Sequence, residues 1–128
     1  MATAPARIRV LIVEDSPTVR ALLTHIVAGD PRLAVAGAVA SAEEALAALP
    51  VLRPDVISMD IRLPGIDGLE ATRRIMAEQP TPIVVISASL DSGALGSTMD
   101  ALRSGALAVV EKPVGLGSGD YGRIAHTI

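Results

Sequence analysis

The apolar positions fall into short runs separated by polar turns. Ile8–Val13 is apolar except for Arg9 and rich in β-branched residues, which predicts a buried strand. It runs into Glu14-Asp15-Ser16-Pro17, and Ser or Asp ahead of a proline at the first helical position opens a helix. Val19, Leu22, Leu23, Ile26 and Val27 recur at helical spacing until Gly29-Asp30-Pro31 stops them. Leu33–Val39 predicts a second strand. Ser41-Ala42-Glu43-Glu44 has the capping-box pattern and opens a second helix ending near Leu49-Pro50. Asp55–Met59 predicts a third strand that delivers Asp60 at its end, and Leu63-Pro64-Gly65-Ile66-Asp67-Gly68 is turn chemistry. Leu69, Thr72, Ile75 and Met76 mark a third helix, stopped by Gln79-Pro80. Pro82–Ile86 is the fourth strand, followed by Ser87-Ala88-Ser89. A weaker helix follows at about Leu95–Arg103, where Gly93 and Gly96 cost about 1 kcal/mol each if helical. Leu107–Val110 is the fifth strand and hands the chain to Glu111-Lys112-Pro113. Beyond it lie Gly115, Gly117, Gly119 and Gly122, with Tyr121–Ile128 at most a short last helix.

A strand-helix unit repeated with short connections demands parallel strands and right-handed crossovers, so helices cover both faces of one sheet. The strand runs are apolar throughout instead of alternating, as a sheet buried on both sides requires. The expectation is a five-stranded doubly wound α/β domain.

Composition narrows the chemistry. The chain has 128 residues, the size of one domain, and half of them are apolar, which excludes intrinsic disorder. It has no Cys, no Trp, no Phe and one Tyr, so disulfide scaffolds, thiol catalysis and aromatic nucleic-acid platforms are excluded. Two histidines cannot form a multi-histidine metal cage. A net charge of −3 argues against a nucleic-acid footprint. No apolar run reaches the roughly 18 residues of a membrane span, and Met1 to Arg7 holds no signal-peptide apolar region. The expected location is the cytoplasm, with no membrane partner. Of 11 basic residues, Lys112 is the single lysine.

In doubly wound sheets, sites lie beyond the carboxyl ends of the strands. There this sequence places Glu14 and Asp15, Asp60, Ser87 and Lys112. Each has an ordinary explanation alone: a helix cap, a turn serine, a solvated loop. Together they converge on one rim. Acids about 4 Å apart repel by roughly 4 kcal/mol at an effective dielectric near 20, so a hard divalent cation is their natural complement. An all-oxygen set with few protein ligands suits magnesium better than calcium. The first turn has no glycine-rich phosphate loop, and no serine sits in a nucleophile elbow. A carboxylate nucleophile beside a metal suits capture of a phosphoryl group, with Lys112 pairing its oxygens and the Ser87 hydroxyl donating to one. The loop after the fourth strand would then be the bistable element.

These residues carry a resemblance. Glu14-Asp15, Asp60-Ile-Arg-Leu-Pro-Gly-Ile-Asp-Gly68, Ser87-Ala88, Gly105-Ala106 and Lys112-Pro113 resemble the receiver domain of two-component response regulators. The match runs from about Arg7 to Val114, leaving 115–128 as a Gly-rich segment and a short or truncated last helix. The resemblance implies a flavodoxin-like sheet of order 2-1-3-4-5. It implies Asp60 as phosphoacceptor, Glu14 and Asp15 as magnesium-binding acids with the carbonyl of Arg62, Ser87 as the switch hydroxyl and Lys112 as the phosphate-pairing lysine. It also implies a cis bond before Pro113. The phosphodonor would be a sensor histidine kinase. The segments Arg53-Pro-Asp-Val-Ile-Ser-Met-Asp60, Asp67-Gly-Leu-Glu-Ala-Thr-Arg-Arg-Ile-Met76 and Pro80-Thr-Pro-Ile-Val-Val-Ile-Ser87 look more narrowly like the receiver of chemotaxis methylesterases. The methylesterase part has no counterpart in these residues, so the expectation is a stand-alone receiver or an excised regulatory half, not a dedicated enzyme. An output domain outside this chain is expected in the second case. One departure stands out: receivers usually carry Tyr or Phe three residues before the lysine, and here that position is Val109.

Three functions compete. The first is a phosphorylation-controlled signal receiver that hydrolyses its phosphoryl group slowly. The second is a magnesium phosphatase acting through Asp60, which wants a second Asp two residues on, where Arg62 stands. The third is a pure protein-binding module without phosphorylation.

Overall fold

The structure, a computed structural model, describes residues 7–87 and 102–111. The elements are β1 (Ile8–Val13), α1 (Pro17–Ala28), β2 (Leu33–Val39), α2 (Ala42–Leu52), β3 (Val56–Asp60), α3 (Gly68–Glu78), β4 (Ile83–Ser87) and β5 (Ala108–Glu111). The strands form one five-stranded sheet of order β2-β1-β3-β4-β5, and every pairing is parallel. This is the doubly wound architecture that the alternation of strands and helices predicts, in the flavodoxin-like strand order that the resemblance implies.

The apolar runs sort onto the two faces by strict alternation. Leu11, Val13, Ile57, Met59, Ile83 and Val85 pack with Ala45, Leu49, Ala71 and Ile75 of α2 and α3. Their neighbours Val10, Ile12, Val56, Val84 and Ile86 pack with Leu23 and Val27 of α1. Both faces are therefore dry, and side chains of the central strands can meet solvent only past the strand ends.

Side-chain caps start the helices where the sequence indicates. Ser16 Oγ accepts from Val19 N at 3.3 Å, and Ser41 Oγ accepts from Glu44 N at 3.1 Å. The reciprocal arm of the capping box reaches one residue further back: Glu44 Oε2 accepts from Ala40 N at 2.7 Å. Asp67 caps α3 in the same way, its Oδ1 accepting from Glu70 N at 2.8 Å.

Several boundaries differ from the sequence reading. Helix α2 does not stop at Leu49-Pro50 but runs through Pro50 to Leu52. Proline there removes one helical N–H, yet Leu52 packs against the α2–α3 core, and Arg53 N still closes onto Leu49 O at 2.9 Å. The third and fourth strands extend one residue past their apolar runs, because the ladder pairs Asp60 with Ile86 and Ser87 with Glu111. The fifth strand starts at Ala108, not Leu107, whose side chain is 70% exposed. Of the weaker helix at Leu95–Arg103, only Leu102 and Arg103 fall among the described residues, and both are helical. Gly93, Gly96, Lys112, the bond before Pro113, Tyr121 and the last helix lie outside the described residues. Among the described residues no helix is long and apolar enough to cross a membrane.

Candidate functional site

The rim beyond the carboxyl ends of β1 and β3 gathers the acids. Glu14 follows β1 directly, and its backbone N–H donates to Val39 O at 3.0 Å, so the ladder with β2 continues into the turn. Glu14 is fully out of solvent, and its Oε2 accepts from Ser16 N at 3.0 Å. Asp15 stands exposed at the mouth. Asp60 is the last residue of β3, the middle strand of the sheet, and is 1% exposed. Carboxylate oxygens of Glu14, Asp15 and Asp60 all lie within 4.8 Å of one another. Unit charges about 5 Å apart repel by about 3 kcal/mol at an effective dielectric near 20, so such a set favours a cation. A donor set of carboxylate oxygens from two adjacent strand ends fits a hard divalent ion that keeps part of its water shell, as magnesium does.

Ser87 ends β4, the strand next to β3, and is 7% exposed. The register sets Ser87 one residue beyond the Asp60–Ile86 pair, on the same rim. The structure therefore brings together four of the residues singled out in the sequence: Glu14, Asp15, Asp60 and Ser87. The fifth, Lys112, follows the last residue of β5 and lies outside the described residues.

The loop leaving Asp60 is tightly held. Arg62 N donates to Asp60 Oδ1 at 3.1 Å, while the Arg62 side chain is exposed. Gly68 N donates to Ile61 O at 3.0 Å, which presses the start of α3 onto the end of β3. A Cβ on Gly68 would sit 2.1 Å from the carbonyl oxygen of Asp60 and 2.8 Å from Ile61 Cα. At the tip of the loop Gly65 has φ +74°, and Ile66 N donates to Glu43 Oε1 at 3.1 Å, tying the loop to α2.

Three contributors are not evident from the sequence. Gly68 is legible there as turn chemistry, but its close approach to Asp60 depends on where α3 docks. Glu43 is visible only as half of a helix cap. Arg20 donates through NH1 to Glu14 O at 2.9 Å and to Asp15 O at 3.5 Å. The one signal for it is a cation in the first turn of a helix that carries no acid there. Val109, where receivers usually carry an aromatic, pairs with Val85 and packs partly buried against the α2–α3 core.

Known proteins share this pattern. Residues 10–118 match the family described as Response regulator receiver domain. The protein-glutamate methylesterase/protein-glutamine glutaminase 2 of Paramagnetospirillum magneticum is 55% identical over 95% of this chain and 35% of its own length. A similarly named protein of Syntrophus aciditrophicus is 57% identical over 83% of this chain and 30% of its length. The chain thus spans about a third of these curated relatives. Among solved structures, the response regulator domain of Thermotoga maritima CheB superposes with a TM-score of 0.81 at 37% identity, covering 95% of this chain and 90% of that one.

These relatives overturn one expectation. The residues by themselves predict no dedicated enzyme, whereas the curated proteins they match are named as methylesterases and glutaminases. That expectation rests only on the chemistry held within these residues, and in the relatives the matching segment is a fraction of a longer enzyme.

Proposed function

Because the chain belongs to the response regulator receiver domain family, we propose that it is the phosphorylation-controlled regulatory segment of a chemotaxis-type protein-glutamate methylesterase. In this reading a histidine kinase supplies the phosphoryl group and Asp60 accepts it. The observation that carries the reading is the trio of carboxylates whose oxygens lie within 4.8 Å, with Asp60 held at the end of the middle strand. Glu14, Asp15, Asp60 and the carbonyl of Arg62 would hold a magnesium ion. When bound, the ion neutralises charge on the phosphoryl oxygens and on the acids around them.

The chain's own residues divide the remaining work. An Asp60 carboxylate oxygen attacks phosphorus as the phosphorus–nitrogen bond of the donor phosphohistidine breaks, and the electron pair leaves with the imidazole. The hydrogen bond from Arg62 N to Oδ1 orients that carboxylate. Ser87 donates its hydroxyl to a phosphoryl oxygen, and Lys112 pairs with another. Drawing Ser87 inward shifts the end of β4, which makes the phosphoryl group a switch.

The test is intact-protein mass after incubation with a small acyl phosphate and magnesium. The wild type is expected to gain one phosphoryl group, and a chelator is expected to prevent it. No gain, under conditions that label a control receiver, would replace this reading with that of a phosphorylation-independent binding module. A second measurement concerns Arg62, two residues beyond Asp60, whose side chain is exposed. In this reading its long cationic side chain obstructs the approach of water to the phosphoryl group. The variant Arg62→Ala is therefore expected to lose its phosphoryl group about threefold faster, a change of under 1 kcal/mol in barrier. An unchanged decay rate removes that role.

A further inference from the structure

We infer that Arg20 is a positioning residue for the metal-binding turn, acting on the backbone of Glu14 and Asp15 rather than on their carboxylates. The inference rests on the metal reading above. Arg20 is an uncomfortable residue for its place in α1. It lies in the first turn, where its own N–H makes a helical bond to Ser16 O at 2.8 Å, and the helix has no acid there to complement its positive end. A cation at that end is unfavourable by the helix dipole, so its presence calls for a compensating contact. The structure supplies one. The guanidinium turns back over the start of the helix and donates from NH1 to Glu14 O at 2.9 Å, with a longer 3.5 Å approach to Asp15 O. Both acceptors are carbonyls of the residues whose side chains form two thirds of the acid cluster.

The contact completes a brace. On one side of the turn, Glu14 Oε2 accepts from Ser16 N, which fixes the Glu14 side chain against its own backbone. On another, Glu14 N is held by Val39 O at 3.0 Å. Arg20 takes the remaining polar group of that residue's backbone, its carbonyl, with a charged donor, and such bonds are roughly twice as strong as neutral ones. With these groups engaged, the peptide planes of the turn cannot swing, and the Glu14 and Asp15 carboxylates stay convergent although they repel each other. Outer partners that orient metal ligands commonly change metal affinity by about 10-fold to 100-fold when removed.

Two variants separate geometry from charge. Arg20→Gln removes both the cation and the reach to the carbonyls. Arg20→Lys keeps the cation on a shorter stem without the planar fork. Magnesium titration by calorimetry on the wild type and both variants gives the dissociation constants, and melting in chelator reports the fold without metal. The expected result is about a tenfold weaker magnesium dissociation constant for Arg20→Gln, partial recovery in Arg20→Lys, and metal-free melting temperatures close to the wild type. Equal affinity in all three proteins overturns the inference. So does tighter binding by Arg20→Gln, since Arg20 would then act only as a repelling charge. Should Arg20→Gln not fold, Arg20→Lys alone must still bind more weakly than the wild type. Absence of magnesium binding by the wild type itself would sink the metal reading and this inference together, whereas binding that the variants retain sinks only the inference.

Discussion

Asp60→Asn is expected to take up no phosphoryl group under conditions that label the wild type, a loss of at least about a hundredfold, or roughly 3 kcal/mol of barrier. An amide oxygen is a poor nucleophile, and the substitution removes the one carboxylate placed at the end of the middle strand. Glu14 and Asp15 remain, but Glu14 is fully buried with its Oε2 committed to Ser16 N, so it is not poised to take over. The change is nearly isosteric, and Arg62 N keeps an oxygen to donate to at position 60. It also removes one of three like charges. The melting temperature of Asp60→Asn is therefore expected to equal or exceed that of the wild type. Loss of labelling together with a large drop in melting temperature would mean misfolding rather than loss of a nucleophile. Labelling that persists would place the phosphoacceptor elsewhere.

Gly68→Ala is expected to damage stability and the site at once. An ordinary first-turn helix position gains up to about 1 kcal/mol when Gly becomes Ala. Here the added Cβ would lie 2.1 Å from Asp60 O and 2.8 Å from Ile61 Cα, both backbone atoms that cannot rotate away. The start of α3 must back off the end of β3, breaking the Gly68 N to Ile61 O bond. Overpacking of this kind costs about 1–3 kcal/mol or more, and contact with backbone puts this case at the upper end. A net loss of about 2 kcal/mol should lower the melting temperature by roughly 5–10 °C. Circular dichroism melts would show it. Because the displaced atoms belong to Asp60 and Ile61, phosphoryl uptake should slow in the same variant at temperatures where it is still folded. An unchanged melting temperature would mean that α3 is free to shift, and that Gly68 does not set the position of the phosphoacceptor.

The methylesterase relatives change how the receiver chemistry is understood. A segment that covers about a third of each curated relative is one part of a longer protein there, named as an enzyme. For that reason the groups within these residues, taken alone, point away from an enzyme when the relatives point towards one.

Whatever depends on local order could be read from the sequence. Apolar runs such as Pro82–Ile86, bounded by polar turns, named the strands, and their lack of alternation announced a sheet covered on both faces. Ser16, Ser41 and the proline at position 17 marked helix starts, because a cap is made by side chains within three residues of the backbone they serve. The candidate acids were legible because topology alone sends the ends of parallel strands to one rim. The sequence also misplaced several ends. It stopped α2 at its proline, since a rule about one missing N–H does not see Leu52 held by the core. It ended the third and fourth apolar runs one residue before Asp60 and Ser87, since a ladder is completed by a neighbouring strand rather than by the strand's own residues.

Contacts that span the sequence are settled by the folded chain. Glu43 reaches Ile66 across 23 positions, and the glycine at 68 is demanded by a carbonyl eight residues earlier. The 4.8 Å grouping of Glu14, Asp15 and Asp60 likewise exists only because β1 and β3 pair in one register. The order of residues was enough to say which of them could do the chemistry. Their spacing, and the clamps that hold them against their own repulsion, came from packing, because distances between residues far apart in the chain are set by helix docking and strand register, not by local preference.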